Sequence, residues 1–426
     1  MLKIAFYEKD ITPPLGGYMW GQYSPRFAED VLDNLFVKAI VADDGENTVA
    51  VISVDTCVLP EGMHEAVTER IKEYTGIPPE NVTLCATHTH QGVPISDSPE
   101  LDVYADAAYK DVLCRLAADC AILAHKRLTG GKVKYAKGHV PSISFVRDFL
   151  MKDGSVVTNP GLGNGDIVKP VSENDPDLST LFFEDLAGKP MGAIISFACH
   201  QDCVGGKDYS GDYASVLAKE LKKIYGNDFV SVFLLGACGD INHINVHTER
   251  KPNRHIEMGQ ILAAEVERSV AAAKETSTDK VSSEKEYILI DKRLPEDEYV
   301  QKMTSLWLEK KRSSAFRTIR NLFAYHAANK DAQYGVYIQS IRIGDALIYA
   351  LPGEVYSWFG KYIRENSPSR MNLIATLCNG YCGYIPTKEA FEHDLYETSL
   401  CKHSCLVPDA GYIISDKILK LAKKQY

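Results

Sequence analysis

Short apolar segments rich in β-formers recur along the chain and alternate with segments of helical periodicity. The predicted strands are residues 35–43, 48–55, 81–87, 191–199, 229–235, 335–350 and 371–378. The predicted helices are residues 61–75, 104–127, 213–225, 254–275, 296–328 and 354–366. Strands that alternate with helices are typical of α/β proteins, and near-continuous apolar strands indicate sheets that are covered on both faces. We therefore predict an α/β fold of mixed, mostly buried β-sheets flanked by helices.

Two segments interrupt this alternation. Residues 140–180 are rich in Gly, Asn, Asp and Pro, which predicts a long irregular excursion of the kind that is commonly functional. The charged segment 279–311 is either a domain boundary or a solvated helix, and its helical periodicity favours the helix. We expect a single catalytic domain over residues 1–426.

Charge and hydropathy narrow the class of protein. The chain has 57 acidic and 47 basic residues, a net charge of −10 at pH 7, and no Lys/Arg block that would bind a polyanion, which argues against nucleic acid as a partner. Its apolar runs are shorter than the roughly 18 residues of a membrane helix, and charges at residues 8–10 argue against an export signal. We expect a soluble, cytoplasmic protein with a small-molecule substrate, and self-association remains open.

Eleven cysteines in a chain without a predicted export signal indicate free thiols in a reducing compartment. An odd number also fits free thiols better than a disulfide framework. The pairs with three intervening residues do not have the spacing of a structural zinc site; they are Cys199/Cys203, Cys378/Cys382 and Cys401/Cys405.

Polar side chains follow five predicted strands at the point where each strand ends. They are His88 and His90, His200, the glycine-rich turn 236–240, Glu354, and the segment 379–384. His88 and His90 alternate along an extended chain, so both lie on one face. Each feature alone is also typical of a cap, a turn or a polar core residue. Their repetition at five strand ends predicts a ligand site, because open α/β sheets bind ligands at such ends.

Six segments, in this order over nearly the whole chain, resemble the neutral (alkaline, non-lysosomal) ceramidase family in its catalytic domain. They are Asp10-Ile11-Thr12-Pro13-Pro14, Thr87-His88-Thr89-His90-Gln91-Gly92, Phe197-Ala198-Cys199-His200, Gly239-Asp240-Ile241-Asn242, Pro352-Gly353-Glu354 and residues 378–387, which include Asn379, Tyr381 and Tyr384. The resemblance implies a zinc ion with the ligands His88, His200, Glu354 and Tyr384. It also implies that His90 and Arg147 lie beside the metal as acid/base or oxyanion groups.

The reaction implied by the resemblance is hydrolysis of an amide bond by water that the zinc ion activates. The sequence departs from the family at one turn, where ceramidases have Gly-Asp-Val-Ser-Pro-Asn with a catalytic serine and this chain has Asn242. Asparagine cannot attack as a hydroxyl, but it can donate to an oxyanion or simply close the turn. The sequence also shows no immunoglobulin-like C-terminal domain of the kind ceramidases carry. We therefore expect a substrate other than long-chain ceramide.

Three functional hypotheses follow. The first is a zinc amidohydrolase that acts on an N-acyl compound. The second keeps the metal but hydrolyses an ester or lactone, or catalyses a lyase or isomerase step. The third is a non-catalytic metal-binding homologue, which the presence of all four predicted ligands argues against. A second metal ion held by Asp55 or Asp240 remains open.

Overall fold

The structure is a computed structural model and describes residues 1–22, 24–98, 103–249, 252–293, 301, 305, 332–393, 395–401 and 403–426. The α-helices among these residues are α1 (Met63–Thr75), α2 (Ala107–His125), α3 (Asp212–Tyr225), α4 (Arg254–Val270), α5 (Ser357–Asn366) and α6 (Ala410–Lys423). The strands are β1 (Lys3–Asp10), β2 (Asp30–Val31), β3 (Phe36–Asp43), β4 (Thr48–Val54), β5 (Val82–Ala86), β6 (Thr129–His139), β7 (Phe145–Val146), β8 (Asp148–Met151), β9 (Val156–Thr158), β10 (Ile167–Pro170), β11 (Asp177–Asp185), β12 (Pro190–Phe197), β13 (Asp208–Tyr209), β14 (Val230–Leu235), β15 (Ile241–Asn242), β16 (Lys274–Glu275), β17 (Val281–Asp291), β18 (Gln333–Ile343), β19 (Ala346–Ala350), β20 (Glu354–Val355), β21 (Met371–Ala375) and β22 (Tyr384–Ile385).

A large mixed sheet contains nine of these strands. Eight follow the order β14-β12-β11-β6-β1-β3-β4-β5, and β16 pairs with β6. The pairs in the middle of the sheet are antiparallel, whereas β12–β14 at one edge and β4–β5 at the other are parallel. Parallel neighbours need a crossover connection, and here α3 and α1 form those crossovers.

A second sheet has four strands in the order β17-β18-β19-β21. Its β19–β21 pair is parallel and is connected through α5. Each of the three parallel pairs in these two sheets therefore belongs to a β-α-β unit. The predicted site residues His88, His200 and Glu354 all follow strands of these units.

The two sheets face each other across a shared apolar core. One buried cluster contains Val51 and Leu234 from the large sheet together with Ile341, Ile348 and Leu373 from the small sheet. Residues of α1 to α4 pack on the other face of the large sheet, and those of α5 and α6 pack on the other face of the small sheet. The layers run helix, sheet, sheet, helix, which confirms the predicted α/β fold of mixed, buried sheets.

The excursion at 140–180 is more regular than its composition predicts. It contains four short strands, of which β8, β9 and β10 form a small antiparallel sheet. The β8–β9 connection contains Asp153 and Gly154, and Gly154 has a φ of 82° that favours glycine. This Asp-Gly pair is a turn signal between strands.

The prediction of a solvated helix over 279–311 is wrong where the structure describes it. Residues Val281–Asp291 form strand β17, an edge strand of the small sheet. Apart from residues 301 and 305, the rest of that segment and most of the predicted helix 296–328 lie outside the described residues. Strands β6 and β11 and helix α6 were not predicted.

Nine of the cysteines are free thiols, as predicted; they are Cys57, Cys85, Cys114, Cys120, Cys199, Cys203, Cys238, Cys378 and Cys382. The Sγ atoms of Cys85 and Cys378 lie 3.0 Å apart where β5 meets the segment after β21. Within the described part of the chain, no helix combines the length and the apolar character that crossing a membrane requires.

Candidate metal centre

Segments that follow three strands bring two imidazoles and a carboxylate together. His88 follows β5, His200 follows β12, and Glu354 lies four residues after β19. Glu354 Oε2 lies 3.5 Å from His88 Nε2 and 3.2 Å from His200 Nε2. The ligand atoms of the three residues all lie within 4.8 Å of one another, and all three side chains are buried.

Backbone carbonyl groups fix the orientation of both imidazoles. His88 Nδ1 lies 2.7 Å from the carbonyl oxygen of Cys57, and His200 Nδ1 lies 2.9 Å from those of Cys238 and Ile241. A carbonyl oxygen only accepts, so each Nδ1 donates its proton, and Nε2 is the nitrogen of each ring that can offer a lone pair to a metal ion. This arrangement is typical of histidines that bind a metal ion.

Three atoms that could bind a metal ion therefore converge. His88 Nε2 and Glu354 Oε2 are buried and have no hydrogen-bond partner among the described residues. Burial of acceptors in this way is costly unless a cation binds them. Imidazole nitrogen and carboxylate oxygen are ordinary zinc ligands, so these residues fit the metal that the sequence predicts.

A proton competes with a metal ion for the same lone pair. Burial disfavours a charged His88, but the neighbouring Cys57 and Glu354 outweigh burial and raise the pKa of this imidazole. Burial also disfavours the Glu354 carboxylate, yet His88 and His200 hold its pKa well below the usual range. The carboxylate is therefore ionised. Metal binding would displace a proton from His88, whereas burial and then Arg147 lower the pKa of His200 and favour its neutral form.

A second candidate group shares His88 with the first. It consists of Cys57, His88 and His90. Cys57 Sγ lies 3.5 Å from His88 Nδ1, the nitrogen that already donates to the Cys57 carbonyl oxygen. Burial also raises the pKa of the Cys57 thiol, which keeps it protonated. The geometry therefore favours the group that contains Glu354.

His88 has a left-handed backbone conformation, with a φ of 70°. Such a conformation costs a non-glycine residue on the order of 1 kcal/mol and is concentrated at functional sites. It turns the chain directly after β5, where the His88 amide donates to the carbonyl oxygen of Thr56.

Two tyrosines border the carboxylate. Glu354 and Tyr384 are paired in the short parallel strands β20 and β22, and Tyr381 donates its hydroxyl to Glu354 Oε1 at 2.8 Å. Burial and then Glu354 raise the pKa of Tyr384, so its hydroxyl is neutral in the absence of a metal ion. The contact of Tyr381 was not predicted, although this residue belongs to the same sequence motif as Tyr384.

His90 lies beside the two histidines of the centre. Its ring centroid is 4.9 Å from that of His88 and 6.0 Å from that of His200. Its Nε2 atom is buried and has no hydrogen-bond partner among the described residues. Burial and the neighbouring His88 lower the pKa of His90 to about 3, so the imidazole is neutral at pH 7.

Arg147 brings a positive charge to the same nitrogen of His200 that faces Glu354. Its Nη1 atom lies 3.4 Å from His200 Nε2, and Nη2 lies 2.6 Å from both Glu397 Oε1 and the carbonyl oxygen of Gly239. Burial opposes the charge, but Glu397 outweighs it and raises the pKa of Arg147. Glu397 was missed in the sequence because it lies 250 residues from Arg147 and outside every recognised motif.

Asn242 makes the hydrogen bonds of a turn-closing residue. Its Oδ1 atom accepts from the Ile244 amide at 2.9 Å, and its Nδ2 atom donates to Asn159 Oδ1 at 2.7 Å. The side chain is 2% exposed. An amide nitrogen has two hydrogens, so one remains for a further acceptor.

Asp240 and Asp55, the two candidates for holding a second metal ion, accept hydrogen bonds from other groups of the protein. Asp240 accepts from the amide and hydroxyl of Ser357 at the start of α5, and Asp55 accepts from the Phe36 amide. Among the described residues, neither carboxylate belongs to a group of potential metal ligands.

Comparisons with known proteins agree with the sequence resemblance. No family model matches the chain. It is 25% identical to neutral ceramidase A of Dictyostelium discoideum over 193 residues, which are 42% of this chain and 26% of that protein. It is 24% identical to neutral ceramidase B of the same organism over 221 residues, which are 48% of this chain and 30% of that protein. The chain thus matches less than a third of the length of each relative.

The fold match is more extensive. The crystal structure of neutral ceramidase from Pseudomonas aeruginosa superposes with a TM-score of 0.76 over 99% of this chain and 74% of that chain, at 18% identity. A structure described as ceramidase complexed with C2 gives the same TM-score at 17% identity. The chain therefore has the fold of neutral ceramidase and resembles neutral ceramidases in sequence, as predicted.

Proposed function

We propose that the protein is a zinc-dependent hydrolase that cleaves the amide bond of an N-acyl compound. The observation that carries the proposal is the convergence of His88 Nε2, His200 Nε2 and Glu354 Oε2, of which His88 Nε2 and Glu354 Oε2 are buried without a hydrogen-bond partner among the described residues. Similarity to neutral ceramidases supports amide hydrolysis as the reaction.

His88, His200 and Glu354 would hold the metal ion, with Tyr384 as the fourth ligand beside Glu354. A zinc ion bound there would polarise an acyl carbonyl group and lower the pKa of a water molecule to about 7. The two Nδ1–H bonds to backbone carbonyl groups keep the imidazoles in the tautomer that such binding needs.

The residues around the three ligands supply the proton transfer and the charge stabilisation. Neutral His90 can accept a proton from an attacking water molecule and return it to the leaving amine. Arg147 stays positively charged beside His200, and negative charge that develops on the acyl oxygen would be stabilised by it. The remaining amide hydrogen of Asn242 is a further donor for that oxygen.

The substrate that we propose is a short or polar N-acyl compound. Asn242 occupies the turn position where the ceramidase pattern has a catalytic serine, and its amide is held by Asn159 and Ile244. A reaction that depends on a serine hydroxyl at this position is therefore not open to this chain.

Hydrolysis of a matched panel of substrates tests the proposal. The panel pairs N-acetyl and N-hexanoyl amines with the esters of the same acyl groups, each measured with and without added zinc and after dialysis against a chelator. We expect amide hydrolysis that is lost on chelation and restored by zinc. Amide hydrolysis that survives complete metal removal would overturn the role of the metal, and cleavage of the esters alone would replace the amidase by an esterase.

A further inference from the structure

A cavity of about 300 Å³ lies between α1, the turn at Pro79–Asn81 and strands β17 and β18. Its lining includes His64, Glu65, Glu80, Lys285, Tyr287 and Tyr337, none of which belongs to the metal centre. Lys285 lies beside Val82 at the start of β5, whereas His88 follows the end of that strand. At about 3.3 Å per residue, the two sites are roughly 20 Å apart along the strand.

The amine of Lys285 has neutral partners only. Its Nζ atom lies 2.5 Å from His64 Nε2 and 3.3 Å from the carbonyl oxygen of Pro79, and it stands 4.9 Å from the ring centroid of Tyr337. Among the residues that the structure describes, no carboxylate lies within ion-pair distance of this amine. Lys285 is half-buried, and burial outweighs the opposing effect of the Glu65 and Glu80 carboxylates, so the neutral amine is favoured.

His64 is placed to exchange a proton with that amine. Because Lys285 donates to Nε2, the ring proton of a neutral His64 is on Nδ1, which is buried and has no hydrogen-bond partner. The side chain is 5% exposed. Burial lowers the pKa of Lys285 to about 7 and that of His64 to about 3. A large fraction of Lys285 is therefore a free amine at neutral pH, and His64 is a neutral base beside it.

We propose that this cavity is a covalent site for a small, uncharged aldehyde, which Lys285 captures as an imine. The Lys285 nitrogen attacks the aldehyde carbon, and the C=O electron pair moves to the oxygen. His64 Nε2 passes the two protons of the nitrogen, one after the other, to the oxygen, which leaves as water when the C=N bond forms. One amine and one aldehyde give one imine and one water, without an oxidant or reductant.

The lining of the cavity selects the class of aldehyde. The rings of Tyr287 and Tyr337 provide apolar walls, and the carboxylates of Glu65 and Glu80 at the cavity repel an anionic compound. An aldehyde that also carries a carboxylate or phosphate is therefore disfavoured relative to an uncharged one.

Reductive trapping on the intact protein tests the site. The protein is incubated at pH 7 with low concentrations of propanal and cyanoborohydride, and the labelled lysines are quantified by peptide mass spectrometry. An ordinary lysine, with a pKa near 10.4, is neutral in fewer than about one molecule in 10³ at this pH. We expect Lys285 to be labelled at least tenfold faster than the exposed Lys72 of α1, and labelling by glyoxylate at equal concentration to be slower.

The pH profile and two variants distinguish an imine site from a merely accessible lysine. The labelling rate of Lys285 should level off above about pH 7, because the amine is then already neutral. The groups that face this amine are His64 and Glu65 from α1, Glu80 from the turn, Tyr337 from β18 and Tyr287 on its own strand. His64→Gln should slow the labelling several-fold. Lys285→Arg should remove the fast phase and leave the metal content unchanged. Equal labelling of Lys285 and Lys72, or a Lys285 rate that still rises between pH 8 and 10, would overturn the proposal.

Discussion

Glu354 and Tyr384 are partners in the register of two short parallel strands, β20 and β22. Tyr381, three residues before Tyr384, donates its hydroxyl to Glu354 Oε1. This bond leaves Oε2 as the oxygen that faces the two histidines. Tyr381 therefore orients the Glu354 carboxylate, whereas Tyr384 lies beside it.

We predict that Tyr381→Phe weakens zinc binding by about 10- to 100-fold without abolishing it, because loss of a hydrogen bond to a metal ligand has an effect of this size. Tyr384→Phe should lower turnover more than it lowers zinc affinity if Tyr384 is the fourth ligand and leaves the metal during the reaction. Competition with a zinc chelator of known affinity measures the zinc affinity of both variants. Equal zinc affinity of Tyr381→Phe and the unaltered protein would contradict the orienting role.

We predict about one zinc ion per chain and loss of that ion in His200→Ala, because this substitution removes one of three converging acceptors. The matched control is His255→Ala, which removes another buried histidine outside the centre. Elemental analysis after gel filtration gives the result. Undiminished zinc in the His200 variant would show that the ion binds elsewhere.

For Asn242→Ala, we expect a loss of stability and a fall in kcat on the order of 10²-fold with zinc retained. The Ile244 amide loses its acceptor, which costs about 1–3 kcal/mol, and the acyl oxygen loses one donor. Thermal unfolding, zinc content and kinetics are measured on the same preparation. An unchanged kcat in a less stable protein would restrict Asn242 to closing the turn.

Long-chain ceramide should be a poor substrate compared with short N-acyl amines. Asn242→Ser should not improve it, because the following His243 and Ile244 also differ from the Pro and Asn of the ceramidase pattern. Release of fatty acid from ceramide in detergent micelles measures this. Efficient cleavage of ceramide by the unaltered protein would contradict our expectation that Asn242, in place of serine, excludes ceramide as a good substrate.

Asp148 should make the stability depend on pH. Burial, and then the neighbouring Glu397, raise the pKa of Asp148 to about 7, compared with about 3.9 in an unfolded chain. Between these values the folded state binds the extra proton, so the stability contribution is present at low pH and is lost as the pH rises through 7. Asn at this position keeps an acceptor for Thr158 and cannot ionise.

Asp148→Asn should therefore gain stability relative to the unaltered protein as the pH rises from 5 to 8, by at most about 3 kcal/mol. Urea unfolding at a series of pH values measures the difference between the two proteins. A difference that stays constant over this range would show that Asp148 does not titrate there.

The convergence of His88, His200 and Glu354 could be predicted because each lies next to an apolar strand or follows one closely, a signal contained within a few residues. Strand β17 could not be predicted in the same way. It is an edge strand with Glu284, Lys285 and Glu286 in its middle, so its charges resemble those of a solvated helix. Only its pairing with β18 identifies it as a strand.

Contacts between segments that are distant in the sequence could not be predicted either. The ion pair between Arg147 and Glu397 depends on how the excursion around β7 meets the segment after β22. Likewise, the choice of Tyr381 rather than Tyr384 as the donor to Glu354 depends on side-chain directions in a short irregular stretch. Neither follows from the periodicity of apolar residues.

The two histidines follow strands of the large sheet, whereas Glu354 follows a strand of the small sheet. During synthesis, Glu354 is added about 150 residues after His200, roughly 8 to 30 seconds later at about 5 to 20 residues per second. A nascent chain therefore offers zinc only two imidazoles until the second sheet has been made and has docked. A tight site cannot form on the large sheet alone, so acquisition of the proposed zinc ion would be a late event that reports correct assembly of both halves.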